Sequence, residues 1–326
     1  MGKENQNKYD DDDGVSLSTF ETIGGRKISY ASTGDCVNGK KVAFFYPMGA
    51  NRRFLIHLHT LALECSLHLI CVNRPGCGQT DYPDEDQEGP ESKKIVDSAC
   101  KDVIHTMAFL DIDKLDGILS ICAGNPFSLS FVSQYPHKFH DNCGKIFSIA
   151  SYVLPADCPV SKPIHRFGAK YVPIWISGAF VGSSMAFMQW ILRNFPSTNM
   201  LIKSFRKQFE GEERDFFDAK ITDKEKLVKH LQWMTDEKPT NFSGDLSVLL
   251  SPSNTLGIDY SNIQSEVLLL HGENDSLAPI CSVEWLADKL PKTTIIPIPN
   301  GTHDGTLFML HSQIEDNLKI FFDIGA

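Results

Sequence analysis

The sequence contains no cluster of basic residues, no Cys-x-x-Cys pair and no apolar segment at its start. Its 326 residues include 31 Lys and Arg against 41 Asp and Glu, a net charge of -10, which argues against nucleic acid or an anionic membrane as an unspecific main partner. The nine cysteines are scattered without the spacing of a zinc ribbon, and a chain of this length has little need of a disulfide framework. We therefore expect reduced thiols, a cytoplasmic location, and neither a metal nor a cofactor.

The remaining composition is that of an ordinary globular protein, with 42% hydrophobic and 22% charged residues. The length fits one large domain, or a core into which a smaller domain is inserted. Residues 1–15 differ from the rest, because they include the acidic run Asp10 to Asp13 and have no apolar pattern. We expect them to form a disordered, solvated tail.

Short apolar runs alternate with amphipathic stretches in both halves of the chain. The predicted strands are 15–23, 27–31, 42–46, 67–72, 117–121, 145–151, 266–270 and 293–298. Two helices are marked by apolar residues at steps of three and four, namely Val96, Ala99, Val103, Met107 and Leu110, and Leu307, Leu310, Ile314, Leu318 and Phe321. This alternation predicts an α/β fold, with a mostly parallel central sheet and helices on both of its faces.

Residues 153–246 interrupt this alternation, because they are helical in pattern and contain no buried strand. Within them, Tyr171 to Leu192 has no charged residue and is long enough to span a membrane. However, the stretch holds Pro173 and several polar residues, and a span there would separate two halves of one sheet. We interpret 153–246 as an inserted helical cap with a buried helix lining an apolar pocket, and shallow contact with a membrane surface remains open.

Residues capable of hydrolytic chemistry follow three of the predicted buried strands. Cys122, in the sequence Ser-Ile-Cys-Ala-Gly at 120–124, stands where the Gly-x-Ser-x-Gly elbow has its nucleophile. Asp275 and His303 come just after the last two strands, which gives the chain order nucleophile, acid, base. Open α/β sheets build their sites at the carboxyl ends of strands, so we predict that these three residues form a catalytic triad.

With these motifs the chain resembles an α/β-hydrolase-fold protein with a helical cap. The resemblance extends over residues 16–326 and implies a core of 16–152 and 247–326 around the cap. Residues 74–80, Arg-Pro-Gly-Cys-Gly-Gln-Thr, are similar to the family's Arg-Pro-Gly-x-Gly-x-Ser turn, and residues 46–49, Tyr-Pro-Met-Gly, stand where His-Gly-x-Pro is usual. A cysteine nucleophile resembles dienelactone hydrolases and polyhydroxyalkanoate synthases, although their other motifs do not match.

The resemblance implies a role for each residue. Cys122 at a helix N-terminus is the nucleophile, because the helix and a nearby imidazole favour its thiolate. His303 accepts the thiol proton and later activates water, while Asp275 orients the imidazole. By position, the backbone N–H groups of Ala123 and Met48 form the oxyanion hole, and Met48 is the less secure because the sequence around it departs from the family pattern.

The expected activity is hydrolysis of an ester, thioester or lactone of a small apolar acyl substrate through an acyl-Cys intermediate. Acyl transfer on the same triad, and a non-catalytic protein that only binds a small ligand, stay open as alternatives. Haloalkane or epoxide chemistry fits poorly, because it needs a carboxylate at the elbow. Candidate pocket residues are Tyr46, Met185, Met188 and Trp190. We expect Arg52 and Arg53 to lie at the surface; the alternative is that one of them binds a carboxylate or phosphate of the substrate. The sequence does not predict the oligomeric state.

Overall fold

A computed structural model describes residues 14–83, 87–173, 211–220, 242–308 and 311–324, together with residues 183, 187, 190, 203, 206, 207, 209 and 237. Eight strands form one sheet. They are β1 (Val15–Glu21), β2 (Lys27–Gly34), β3 (Lys40–Phe45), β4 (Leu67–Val72), β5 (Gly117–Ile121), β6 (Lys145–Ile149), β7 (Glu266–Gly272) and β8 (Thr293–Ile298). Each of the eight predicted strands is thus present, with ends that differ by a few residues.

The strand order is β1-β2-β4-β3-β5-β6-β7-β8. β2 is antiparallel to both of its neighbours, whereas all strands from β4 to β8 run parallel. Central β5 is buried along its whole length, as is typical of a parallel strand covered on both faces. Because Phe45 of β3 pairs with Ser120 of β5, the loops that follow these two strands start side by side.

Helices cover both faces of the sheet, as predicted. α1 (His59–Glu64) and α9 (His311–Phe321) pack on one face, and α2 (Glu91–Phe109), α3 (Asn125–Gln134) and α7 (Ile280–Lys289) pack on the other. The predicted apolar stripe of α2 is buried from Val96 to Met107. Each amphipathic helix therefore contributes one face to a hydrophobic layer against the sheet, which is the main source of its stability.

Two helices begin differently from the sequence prediction. The predicted helix from Arg53 is a 3-10 turn at Arg52–Leu58 that leads into α1. The single helix predicted from Leu307 is described as α8 (His303–Phe308) followed by α9, and residues 309–310 lie outside the described residues. In α9 the expected apolar positions from Ile314 onward are buried.

The predicted cap, 153–246, is described in part. It contains α4 (Pro163–Tyr171), α5 (Gly211–Lys220) and the start of α6 (Phe242–Leu249), a helix that continues across the predicted boundary at 246 into the core. Most of Tyr171 to Leu192 lies outside the described residues, and so does nearly all of the predicted tail 1–15. In the part of the chain that is described, no helix is long and apolar enough to cross a membrane.

Candidate active site

Cys122 occupies a strained turn between β5 and α3. Its φ of +49° is unusual for a residue with a side chain, and it begins a short 3-10 turn, Cys122–Gly124, that leads directly into α3. The turn also requires a glycine, since a Cβ at Gly124 would lie 2.1 Å from the carbonyl oxygen of Phe45. The local sequence therefore places the thiol at the carboxyl end of the central strand, as the elbow motif predicts.

Asp275 lies in the loop after β7 and is fixed by three hydrogen bonds. Its Oδ1 accepts the backbone N–H groups of Leu277 at 2.8 Å and Ala278 at 2.7 Å. Its Oδ2 accepts Nδ1–H of His303 at 2.6 Å. Burial raises the pKa of Asp275, but the hydrogen bond and charge of His303 outweigh it, so that its pKa lies below the ordinary value. The carboxylate is held in its charged form.

His303 is the first residue of α8 and links the acid to the thiol. Its Nδ1 is engaged by Asp275, which leaves Nε2 for Cys122. Burial of the ring lowers the pKa of His303, but the hydrogen bonds with Asp275 and Cys122 and the charges of both raise it to about 10. The environment thus favours the imidazolium, and the structure brings together all three residues that the sequence predicted for the triad.

The predicted oxyanion donors lie on neighbouring strand ends. Ala123 follows the thiol in the 3-10 turn and is fully buried. Met48 lies three residues beyond β3 and packs against the hydrophobic cluster that contains Cys122. Because Phe45, the last residue of β3, pairs with Ser120, the next to last residue of β5, the two peptide groups are on the same edge of the sheet as the thiol.

The predicted pocket residues are placed less uniformly. Tyr46 is buried to 1% exposure, and its hydroxyl accepts the backbone N–H of Arg74 at 2.6 Å, so its ring belongs to the core beside the site. Trp190 is 50% exposed and stacks on Phe187 with ring centres 6.0 Å apart. Met185 and Met188 lie outside the described residues.

Tyr152, which sequence reasoning did not select, lies next to the thiol. Its backbone N–H donates to the carbonyl oxygen of Cys122 at 3.2 Å. Burial raises the pKa of its phenol well above the usual value, and the nearby Cys122 adds to this effect. A neutral phenol therefore borders the candidate nucleophile. Tyr152 lies three residues after the end of β6, and its place soon after a buried strand was the available signal.

His271, the penultimate residue of β7, contacts the same carboxylate as His303. Its Nε2 lies 2.7 Å from the carbonyl oxygen of Ala278 and 3.3 Å from Oδ2 of Asp275. Burial lowers the pKa of His271 more than Asp275 raises it, so this ring is neutral at neutral pH and donates its Nε2–H to the carbonyl. Its Nδ1 is buried without a hydrogen-bond partner among the described residues.

Glu213 and Glu237, both in segment 153–246, bind to the loops around the site. Glu213 of α5 accepts the backbone N–H of Thr302 at 2.7 Å and its hydroxyl at 2.8 Å, directly before His303. The carboxylate of Glu237 accepts a hydrogen bond from Nε of Arg52 at 2.8 Å and one from Nδ2 of Asn73 at 3.1 Å.

The position of Arg52 corrects a sequence expectation. The side chain is 5% exposed and also donates to the carbonyl oxygen of Tyr30 at 2.9 Å, so it is not a surface residue. Its guanidinium is paired with Glu237, and this pair leaves it no role in binding a substrate anion. No local pattern indicates this pairing, because the two residues are 185 positions apart.

Among the described residues, no group of three or more His, Cys, Asp or Glu side chains could hold a metal ion. The triad region contains one thiol, two imidazoles and a carboxylate, but these groups are committed to each other and to backbone atoms. The chemistry that this arrangement offers is nucleophilic attack by sulfur with proton transfer by an imidazole.

No family model and no curated protein matches the chain. Its structure is similar to that of a hydrolase from Pseudomonas aeruginosa PA01, with a TM-score of 0.61, 12% identity, and coverage of 95% of this chain and 98% of that one. The structure of an esterase from Exiguobacterium antarcticum is similar with a TM-score of 0.63 and 14% identity, and the match covers 94% of this chain and 98% of the esterase. For the 2-hydroxy-6-oxo-6-phenylhexa-2,4-dienoate hydrolase from Rhodococcus sp. strain RHA1 the TM-score is 0.57 and the identity 17%. This match covers 95% of this chain and 99% of that one. The chain therefore has the α/β-hydrolase fold, and identities this low show the fold alone.

Proposed function

We propose that the protein is a hydrolase that cleaves esters, thioesters or lactones of a small apolar acyl group, with Cys122 as nucleophile, His303 as acid and base, and Asp275 as the residue that orients His303. The observation that carries the proposal is the hydrogen bond between the Asp275 carboxylate and His303, a ring whose pKa is raised in part by Cys122, together with the φ of +49° at that thiol. A strained elbow of this kind is typical of sites where the backbone presents a reacting group.

In the first half of the reaction, the thiolate of Cys122 attacks the carbonyl carbon, a C–S bond forms, and the π electrons move to the oxygen. The backbone N–H groups of Ala123 and Met48 stabilise this oxyanion, an effect of about 3 kcal/mol per donor in similar sites. When the oxyanion collapses, the bond to the alkoxide or thiolate leaving group breaks. His303 donates its Nε2 proton to that leaving group, and the acyl group remains on Cys122 as a thioester.

In the second half, neutral His303 accepts a proton from water, and the resulting hydroxide attacks the thioester carbonyl. Collapse of the second tetrahedral intermediate expels the thiolate of Cys122 and releases a carboxylic acid. The imidazolium is thereby restored next to the thiolate. Asp275 stays ionised throughout and stabilises the positive ring, in agreement with its lowered pKa.

An apolar acyl group is supported by the surroundings of the thiol. Cys122 belongs to a buried hydrophobic cluster that includes Ala150, Tyr152 and Leu270, with Met48 packed against it. Such walls favour an alkyl or aryl group over a charged one. If another nucleophile than water reaches the thioester, the same residues perform acyl transfer, and this alternative is tested by the same experiment.

The test is intact-mass spectrometry of the protein after mixing with p-nitrophenyl esters of increasing chain length. We expect an acyl adduct on the wild type and none on Cys122→Ala. The matched control is Cys281→Ala, which removes an exposed cysteine and should leave the adduct in place. Adding an alcohol or amine as acceptor distinguishes transfer from hydrolysis, because transfer gives a new ester or amide instead of the free acid.

Absence of both the adduct and nitrophenol release at every chain length would contradict a catalytic role and favour a protein that binds a small ligand. An adduct that survives in Cys122→Ala would place the nucleophile elsewhere. Because many enzymes with different chemistries share this fold, the covalent intermediate is the observation that distinguishes catalysis from ligand binding alone.

A further inference from the structure

Helix α4 has an apolar face that is exposed. Ile164, Phe167 and Tyr171 are 73%, 58% and 61% exposed, and no residue of the helix is buried. Their spacing of three and four residues places them on one side of the helix. Large apolar side chains are common singly on protein surfaces, but a contiguous group marks a surface that contacts something apolar.

The other side of α4 faces the candidate active site. His165 packs against Tyr152 with ring centres 6.4 Å apart, and Tyr152 in turn borders Cys122. Burial lowers the pKa of His165, in agreement with a ring that points into the protein. The helix therefore contacts a residue that borders Cys122, with His165 turned inward and the apolar residues turned outward.

The charge around this face is positive, in contrast to the rest of the chain. Lys162, Arg166 and Lys170 lie on the helix or at its start; Arg166 Nη1 donates to the carbonyl oxygen of Pro159, and the ammonium group of Lys170 lies 5.1 Å from the centre of the Tyr171 ring. Residues 158–209 contain no Asp or Glu and seven basic residues: Lys162, Arg166, Lys170, Arg193, Lys203, Arg206 and Lys207. A protein with a net charge of -10 thus has one segment that an anionic surface would attract.

We propose that α4 docks the protein on an anionic lipid bilayer, with Ile164, Phe167 and Tyr171 inserted at the boundary between headgroups and acyl chains, and Arg166 and Lys170 against lipid phosphates. An amphipathic helix with an apolar face and a basic border is the usual element of this kind of binding. Docking in this orientation turns the side of the protein above Cys122 towards the membrane. The proposal goes beyond the proposed function and holds whether or not Cys122 is a nucleophile.

The test is flotation of the full chain with vesicles of phosphatidylcholine alone and of phosphatidylcholine mixed with phosphatidylserine. We expect binding to the mixed vesicles that weakens when salt is added, because the attraction to anionic lipid is screened. The double variant Phe167→Ala/Tyr171→Ala and the double variant Arg166→Ser/Lys170→Ser should each lower vesicle binding about tenfold. Ile320→Ala, at a 75% exposed apolar residue of α9, is the matched control and should bind as the wild type does.

A second measurement needs no variant, namely hydrogen exchange of the wild type with and without the mixed vesicles. We expect added protection in peptides that cover 163–171 and none in peptides that cover α9. Failure of the wild type to float, unchanged binding of the Phe167/Tyr171 variant, or protection elsewhere only would overturn the proposal. So would a wild-type dimer that the same variant separates, because the apolar face would then belong to a second copy of the chain.

Discussion

Replacement of His303 by Ala is expected to slow alkylation of Cys122 at neutral pH. The reason is electrostatic: an imidazolium in contact with sulfur stabilises the thiolate, and the thiolate is the species that reacts. In the folded protein the pKa of His303 rises from 6.5 to about 10 although burial opposes the change, because Asp275 and Cys122 both favour the charged ring. The histidine thus supplies a positive charge over the whole neutral range.

The size of the effect follows from that pKa. A rise from 6.5 to about 10 corresponds to about 5 kcal/mol in favour of the imidazolium. Asp275 and Cys122 both contribute to this rise. A hydrogen bond to a charged group contributes about 2 kcal/mol, or roughly thirtyfold, and His303→Ala removes this interaction from the sulfur of Cys122. A stabilised thiolate is a weaker nucleophile, which reduces the expected ratio of alkylation rates to about tenfold.

The assay is timed alkylation with iodoacetamide, followed by peptide mass spectrometry that resolves each cysteine. Cys36 is exposed and provides an internal reference, because its rate should not depend on the triad. His140→Ala removes an exposed histidine and is the matched control. Equal rates at Cys122 in the wild type and in His303→Ala would refute the reasoning, and so would a wild-type rate at Cys122 below that at Cys36.

Two further predictions concern stability. Ser120→Ala should raise the free energy of unfolding by about 1 kcal/mol in a urea titration, because the hydroxyl is buried and has no hydrogen-bond partner among the described residues; a loss of stability would argue for a bond that these residues do not provide. Because the folded pKa of His303 is raised, its stabilising contribution is complete below pH 6.5 and is lost as the pH rises through about 10. The stability difference between the wild type and His303→Ala should therefore shrink in urea titrations at increasing pH, and a difference that grows would contradict the assigned pKa.

Much of the fold could be predicted because burial leaves a strong pattern in the sequence. β5 and β7 are covered on both faces, so they appear as short unbroken apolar runs, and α2 shows its buried stripe at helical spacing. The proximity of Cys122, Asp275 and His303 could be predicted for a related reason. Parallel strands bring their carboxyl ends to one edge, so Cys122 and His303 come together without any contact having to be known in advance.

What could not be predicted are the contacts between groups that are distant in sequence. Asp275 was expected to orient one histidine, but its Oδ2 also lies 3.3 Å from His271, since the loop folds back over the end of β7. Hydrophobic periodicity indicates which face of an element is buried, but it does not indicate which acid meets which base. Arg52 was therefore expected at the surface, although it is held in a buried ion pair.

Such ion pairs connect segment 153–246 to the loops at the carboxyl ends of the strands. Arg52 follows β3 and pairs with Glu237, and Arg74 follows β4 and pairs with Asp245 of α6. The Arg74 guanidinium is also 4.4 Å from the centre of the Phe127 ring, at the start of α3 beside the elbow. All these partners are nearly inaccessible to solvent, so removing one member leaves a buried charge unpaired, at a cost of about 3 to 5 kcal/mol.

Residues 153–246 consequently contribute contacts that support the candidate site. Glu213 of α5 bonds Thr302, the residue before His303, so the position of the base depends on a helix that lies 89 residues away in sequence. A chain shortened by residues 153–246 would lose this contact and also the acids that neutralise the two buried arginines. The core and the segment therefore have to fold together, and a change in the segment's position reaches His303 through one hydrogen-bonded residue.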